Sequence, residues 1–258
     1  TNLRYARAVG SVLRRLCPAL IEVHNRPEIA LALAARLPRT PVLAVLHNDP
    51  ATMRGADSPA LRRAMLAKLA GVAMPSQWLR ARFLEGVSDP PRDPQVAPNC
   101  IDFAEIPALR TKSNMLLFAG RVVRDKAPDA FAAACATALP RLPGWRATLI
   151  GADRFRANSP ETAFSAAVRA QADAAGIAMP GYRDHDAVLA AMAEAAIVAV
   201  PSRWQEPFGL VALEAMACGA ALVCSPRGGL PEVGGDAAVY ADPDDPAALA
   251  EAIVRLAR

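Results

Sequence analysis

An α/β fold with two parallel sheets is predicted by three features of this chain. Short apolar runs alternate with helix-forming segments in one series up to about residue 84 and in a second from residue 114. A stretch of weak periodicity, 103–114, separates them and reads as a linker. Gly, Pro or Asp follows most of the apolar runs, as where a strand leaves a sheet for a right-handed crossover helix. The expected domains are therefore 1–105 and 106–258. With 258 residues, 53% hydrophobic and 21% charged, the chain has enough apolar material for a core in each.

In the first series, residues 3–16 read as a helix rich in Leu, Val, Ala and Arg, followed after Pro18 by a strand over 19–24. A helix over 28–37, a buried strand over 41–47, a helix over 60–69 and a strand over 71–74 come next. Pro75-Ser76 then precedes a helix over 77–84, and 86–98, rich in Pro and Asp, reads as loop. In the second series the strands are 114–119, 146–150, 177–179, 195–200, 221–224 and 237–240. The helices are 128–139, 161–175, 186–194, 210–218, ended by Gly219, and 246–256, capped by Asp244 or Asp245. Two such sheets place a cleft at the carboxyl ends of their strands.

Composition excludes several classes. The charge is +4, with no Lys/Arg run and no aromatic-basic interleaving, so no nucleic-acid partner is expected. Charged residues or Pro interrupt every apolar run before the roughly 20 residues a membrane helix needs. The 5 cysteines are odd in number and form no C-x-x-C pair, which argues against a disulfide framework or zinc and fits a reducing cytoplasm. Arg4, Arg7, Arg14 and Arg15 precede the first acid, Glu22, among Leu3, Val12, Leu13 and Leu16. A solvated helix face is the first reading; peripheral contact with an anionic membrane is the alternative.

The chemistry concentrates in 202–214, where Pro207 and Gly209 force a loop between the strand 195–200 and the helix that follows. A helix starting after Gly turns its first backbone N–H groups toward an anion. Glu206 in the loop and Glu214 one turn into the helix flank that space, an arrangement suited to a ligand with central phosphates and hydroxyls at its ends. Gly120 follows a strand, and Arg121 and Lys126 beyond it can meet one anion and stabilise charge as a bond to phosphate breaks. His47 closes a buried strand and can donate to a ligand hydroxyl, and His24 closes the strand before it. His185 and Arg124 read as surface residues. Asp242-Pro-Asp244 has a cation-binding spacing but reads better as a capping turn.

Glu206-Pro-Phe-Gly-Leu-Val-Ala-Leu-Glu214 resembles the E-x7-E motif of retaining glycosyltransferases of family 4. Ala215-Met-Ala-Cys-Gly-Ala220 and Gly228-Gly-Leu-Pro-Glu232 are similar to the segments that follow it there. The resemblance implies a GT-B fold, two Rossmann-like parallel-sheet domains facing a cleft. It implies transfer of a sugar, with retention, from a UDP- or GDP-sugar donor to a glycan or lipid-linked acceptor, with no cofactor and no metal. In this family the first Glu approaches the donor sugar, the amides after it meet the diphosphate, and the second Glu binds ribose; those roles fall on Glu206, on Phe208, Gly209 and Leu210, and on Glu214. Gly120, Arg121 and Lys126 resemble the family's G-R-x4-K element at the diphosphate. Gly181 and Tyr182 stand where the family holds the base, and His47 where it contacts the sugar. Gly151-Ala-Asp-Arg154 resembles a loop facing the donor, and His24 falls on the acceptor side. Asn99-Cys-Ile-Asp102 is similar to the family's N-G-I-D, with Cys100 in place of Gly, and Ser76 matches a position before a cleft helix. Against that pattern the N-terminal domain lacks its opening and the C-terminus its last helices. An inactive sugar-nucleotide-binding module and a GT-B-type epimerase therefore stay open beside the transferase.

Overall fold

The computed structural model describes residues 2–108, 111–154 and 161–258. It contains two compact units, Thr1–Asn99 and Cys100–Arg258. The expected linker includes residues 109 and 110, which lie outside the described residues.

The first unit runs α1 (Asn2–Leu16), β1 (Ile21–His24), α2 (Pro27–Arg36), β2 (Val42–Val45), α3 (Pro59–Lys68), β3 (Gly71–Met74), α4 (Gln77–Leu84) and β4 (Gln95–Val96). The sheet order is β1-β2-β3-β4, all parallel, with Ile21 opposite Val42 and His24 opposite Val45. Pro27 and Pro59 sit in the first turns of α2 and α3, where a missing N–H costs nothing. Ser58 and Ser76 cap α3 and α4 by accepting from Leu61 N (3.3 Å) and Leu79 N (3.0 Å). Ser76 thus starts a helix. Leu33, Leu46, Met65, Leu66 and Phe83 are buried between sheet and helices, each worth roughly 1.5–3 kcal/mol by area removed from water. Arg62 is buried too, its guanidinium donating to Phe83 O (2.7 Å), Ala56 O (2.9 Å) and Glu85 O (2.6 Å), and burial holds it below its ordinary pKa. In α1, Ala6, Val9 and Leu13 pack on the core while Leu3, Tyr5, Val12 and Leu16 are exposed.

β4 was not expected; 86–98 reads as loop. It is two residues long and flanked by Pro94, with no apolar run to announce it.

The second unit runs β5 (Ser113–Ala119), α5 (Pro128–Ala138), β6 (Arg146–Ile150), α6 (Ala163–Ala174), β7 (Ala178–Gly181), α7 (His185–Glu194), β8 (Ala195–Val200), α8 (Leu210–Ala217), β9 (Ala221–Cys224), α9 (Leu230–Gly234), β10 (Ala238–Tyr240) and α10 (Pro246–Ala257). Its six parallel strands lie in the order β10-β9-β8-β5-β6-β7. Alternate residues of β5 serve opposite cores. Leu116 and Phe118 join Phe131 and Leu149 under α5 and α10, while Met115, Leu117 and Ala119 join Leu189, Met192 and Leu230 on the other face. Lys112 Nζ donates to Met192 O (3.1 Å), Ala193 O (2.9 Å) and Cys218 O (2.6 Å), satisfying carbonyls where α7 and α8 end. α9 was not expected from the sequence; Pro231 in its first turn and glycines at both ends hide so short a helix.

Cys17 and Cys100 are exposed, and Cys135, Cys218 and Cys224 are buried. Burial raises the Cys135 thiol and pushes Cys224 up to about 12. Iodoacetamide at pH 8 should therefore label Cys17 and Cys100 on the folded protein, and all 5 after denaturation, as read by mass spectrometry. Native-state adducts on Cys135 or Cys224 would contradict this packing.

Candidate active site

β5 has β8 on one side and β6 on the other, so the chain changes direction across the sheet at that strand. The carboxyl ends of β5 and β8 form a topological switch point, the usual ligand edge of an open parallel sheet. Two loops meet there, 120–127 after β5 and 201–209 after β8. One backbone oxygen ties them: Asp125 O accepts from Arg203 N (2.8 Å), Trp204 N (3.0 Å) and Ser202 Oγ (3.0 Å). The Arg203 side chain extends the tie to Asp129 (2.8 Å) and Asp244 (2.8 Å). Arg227 holds Asp242 (2.9 Å) and Asp244 (2.7 Å). Asp242 and Asp244 are thus taken up by guanidinium groups, while Asp245 caps α10 through Ala248 N (3.0 Å). Arg124 lies over the Phe164 ring at 4.9 Å.

Beside this tie, Lys126 Nζ forms an ion pair with Glu206 Oε1. Glu206 is 8% exposed, so its carboxylate depends on that partner. Its backbone is cradled by two glycines. Gly229 N donates to Glu206 O (2.6 Å), and Gly228, at φ +64°, lies so close that a Cβ would run into the Glu206 backbone. Gly228 N also donates to Gln205 Oε1 at 2.8 Å. Phe208 is buried. Gly209, at φ +116°, starts α8 with no side-chain cap, leaving the first amides of that helix for water or a ligand.

A cavity of about 250 Å³ opens at the same sheet edge. Its floor is the stacked backbone after β5, β6 and β7: Gly120 N donates to Ile150 O and Gly151 N to Gly181 O, each at 3.0 Å. Gly151, at φ +153°, approaches the Gly120 carbonyl so closely that no Cβ fits between them. Val188 and Val211 supply apolar wall; Arg121, Arg154 and Arg183 bring positive charge. His185 Nε2 lies 3.0 Å from Glu214 Oε1, and this pair separates the cavity from a second of about 200 Å³ lined by Asp102, Ile106 and Leu210 among others. An apolar slot with a cationic mouth and a shielded carboxylate can hold a planar apolar group, an anion and a hydroxyl-bearing group together.

Of the residues singled out in the sequence, Gly120, Arg121, Tyr182 and Glu214 line the first cavity, with Gly151 and Arg154. Gly181 stands behind them through its carbonyl, and Leu210 lines the second cavity. Lys126, Glu206, Phe208 and Gly209 form the patch at the β8 loop. Lys126 is engaged by Glu206, and Arg121 lines the cavity. His47 belongs to the first unit, half-buried two residues beyond β2, where burial and then neighbouring His24 lower its pKa. His185 makes one contact that the sequence did not announce. Its ring is exposed, as expected at a helix start, but it bonds Glu214 and lines both cavities. The one sequence signal was its place just after β7, at the edge where the other loops converge.

The family model "Glycosyl transferases group 1" matches residues 113–258. A D-inositol 3-phosphate glycosyltransferase of Saccharomonospora viridis is 39% identical over 122 residues, 45% of this chain and 28% of that protein. A glycogen synthase of Mycobacterium tuberculosis is 47% identical over 75 residues, 28% of this chain and 18% of that one. The chain thus spans less than a third of the length of these two curated relatives. Among solved structures, Anabaena HepE in complex with UDP superposes with a TM-score of 0.78 at 20% identity, covering 96% of this chain and 71% of that one. Sucrose-phosphate synthase of Thermosynechococcus elongatus gives 0.75 at 22% identity, covering 98% and 67%. These likenesses are of fold, two parallel-sheet α/β units of GT-B type.

Proposed function

The chain belongs to the glycosyl transferases group 1 family, and from that premise we propose that it moves a sugar, with retention, from a UDP- or GDP-sugar to a hydroxyl of a glycan or lipid-linked acceptor. The observation that carries this reading is the cavity at the β5–β8 edge, with Arg121 and Glu214 on its walls and the Lys126–Glu206 pair beside it. The nucleoside occupies the cavity, Glu214 accepts from the ribose hydroxyls, and the base lies against the backbone at Gly181 and Tyr182. Arg121 and the amides leading into α8, from Phe208 to Leu210, take the diphosphate. Lys126 exchanges its partner Glu206 for phosphate oxygen as the donor arrives, which frees Glu206 for the sugar. For His47 the proposed role is contact with a sugar hydroxyl. Basic side chains and a helix terminus supply the charge on phosphate, so the reaction is written without a metal. Among the described residues no helix is long and apolar enough to cross a membrane; the proposed setting is the cytoplasm, with α1 as a peripheral contact.

The test is donor binding by calorimetry and thermal shift across UDP-, GDP- and ADP-sugars. One donor should stabilise the wild type, and Glu214→Ala should raise its Kd about 10- to 100-fold, the loss of a shielded, charged hydrogen bond. His185→Ala should raise the same Kd less, by freeing the carboxylate to rotate. No stabilisation by any nucleotide sugar would sink the reading.

A further inference from the structure

We propose that Glu22 and His24 fix His47 in a single neutral tautomer, so that its Nδ1 is presented as a hydrogen-bond acceptor toward a substrate hydroxyl. This rests on the reading of His47 as a sugar contact, and it reverses the donor role expected from the sequence.

The geometry is local to the first unit. β1 and β2 are paired in parallel, and His24 and His47 lie at their carboxyl ends. His24 Nδ1 and His47 Nε2 are 3.0 Å apart, with the rings 7° from parallel. The backbone holds them there: Asn25, in the left-handed region at φ +54°, donates its N–H to Val45 O (2.9 Å) and accepts from His47 N on Oδ1 (2.7 Å). Two ring nitrogens at this separation share a single proton, so one must donate and the other accept. The far side of the His24 ring decides which. Its Nε2 faces the Glu22 carboxylate at 3.5 Å. An ionised carboxylate only accepts, and its charge favours a proton on the nitrogen facing it. Neutral His24 then carries its proton on Nε2 and has a lone pair on Nδ1. His47 must donate through Nε2, which leaves the lone pair of its neutral ring on Nδ1. Burial and the neighbouring His24 both disfavour charge on His47, consistent with a neutral ring. Among the described residues no hydrogen bond to His47 Nδ1 occurs. His24 and Glu22 are thus positioning residues: neither needs to touch substrate.

The chain has 3 histidines, so the side-chain ¹H–¹⁵N correlations of the whole protein can be assigned with His24→Asn, His47→Asn and His185→Asn variants. At neutral pH His47 should be protonated on Nε2 and bare on Nδ1. In Glu22→Ala, a change at a half-exposed side chain, the Nε2-protonated fraction of His47 should fall toward about half as the tautomers even out. Circular dichroism checks that the variant is folded. A wild-type His47 protonated on Nδ1, or a His47 pattern unmoved by Glu22→Ala, overturns the proposal whether or not sugar is transferred. The expected tautomer together with absent donor turnover supports the assignment and sinks the transferase reading instead, so the two failures are distinguishable.

Discussion

Lys126→Ala is expected to lower kcat by about 10²- to 10³-fold, with a much smaller change in donor KM. The size follows from where charge grows. A sugar leaving its donor places new negative charge on the diphosphate, and an ammonium fixed beside it is worth more in the transition state than in the ground state. Lys126 is fixed: its turn is held through the Asp125 carbonyl, and its partner is a shielded carboxylate. That partner also creates a confounding effect, because removing Lys126 leaves Glu206 without its counter-charge. Glu206→Gln and the double variant separate the two effects. If Lys126 only balances Glu206, the double variant turns over no more slowly than Glu206→Gln alone; if it also acts on the leaving group, the double variant is slower still. A steady-state kcat within about twofold of wild type for Lys126→Ala would remove this residue from the mechanism.

Gly228→Ala is expected to cost both stability and donor affinity. The substitution costs about 1–2 kcal/mol for a left-handed residue with a side chain. Its Cβ would also collide with backbone atoms of Glu206 and sit 2.7 Å from Gln205 C, where no flexible side chain can give way. The total, roughly 2–4 kcal/mol, corresponds to a fall in Tm of about 5–15 °C for a unit of this size. Donor affinity should be lost at temperatures where the variant is still folded, because relief of the collision displaces Glu206. Calorimetry and donor titration on one sample check both; an unchanged Tm with wild-type affinity would contradict the cradle described for this loop.

The fold was largely legible because most strands of the second unit carry a short apolar run, as in Ala195–Val200 and Ala221–Cys224, and most of its helices start at a Pro, Gly or Asp. The stretch 202–214 was legible for the same reason: Gly209 between a strand and a run of helix formers leaves few alternatives. Other features lack any sequence period. The His185–Glu214 contact joins side chains from two helices 29 residues apart, and only the sheet order brings them together. The Asp242 and Asp244 carboxylates read as a turn, while their pairing with Arg203 and Arg227 depends on the loops after β8 and β9 meeting the turn before α10. His24 and His47 could each be placed at a strand end. Their hydrogen bond needed the register of β1 on β2, and register sets which nitrogen meets which.

The threefold acceptor at Asp125 has a consequence for how this loop can vary among related chains. The contact is made by a main-chain oxygen, so the side chain at that position is a spectator and a substitution there leaves the tie intact. Spacing is another matter. An added or missing residue between Val123 and Lys126 would carry the oxygen away from Ser202, Arg203 and Trp204 and misplace the ammonium with it. Position 125 is therefore tolerant of spelling while the loop is intolerant of length, and a comparison of relatives that scores only residue identity at position 125 would miss the feature that matters.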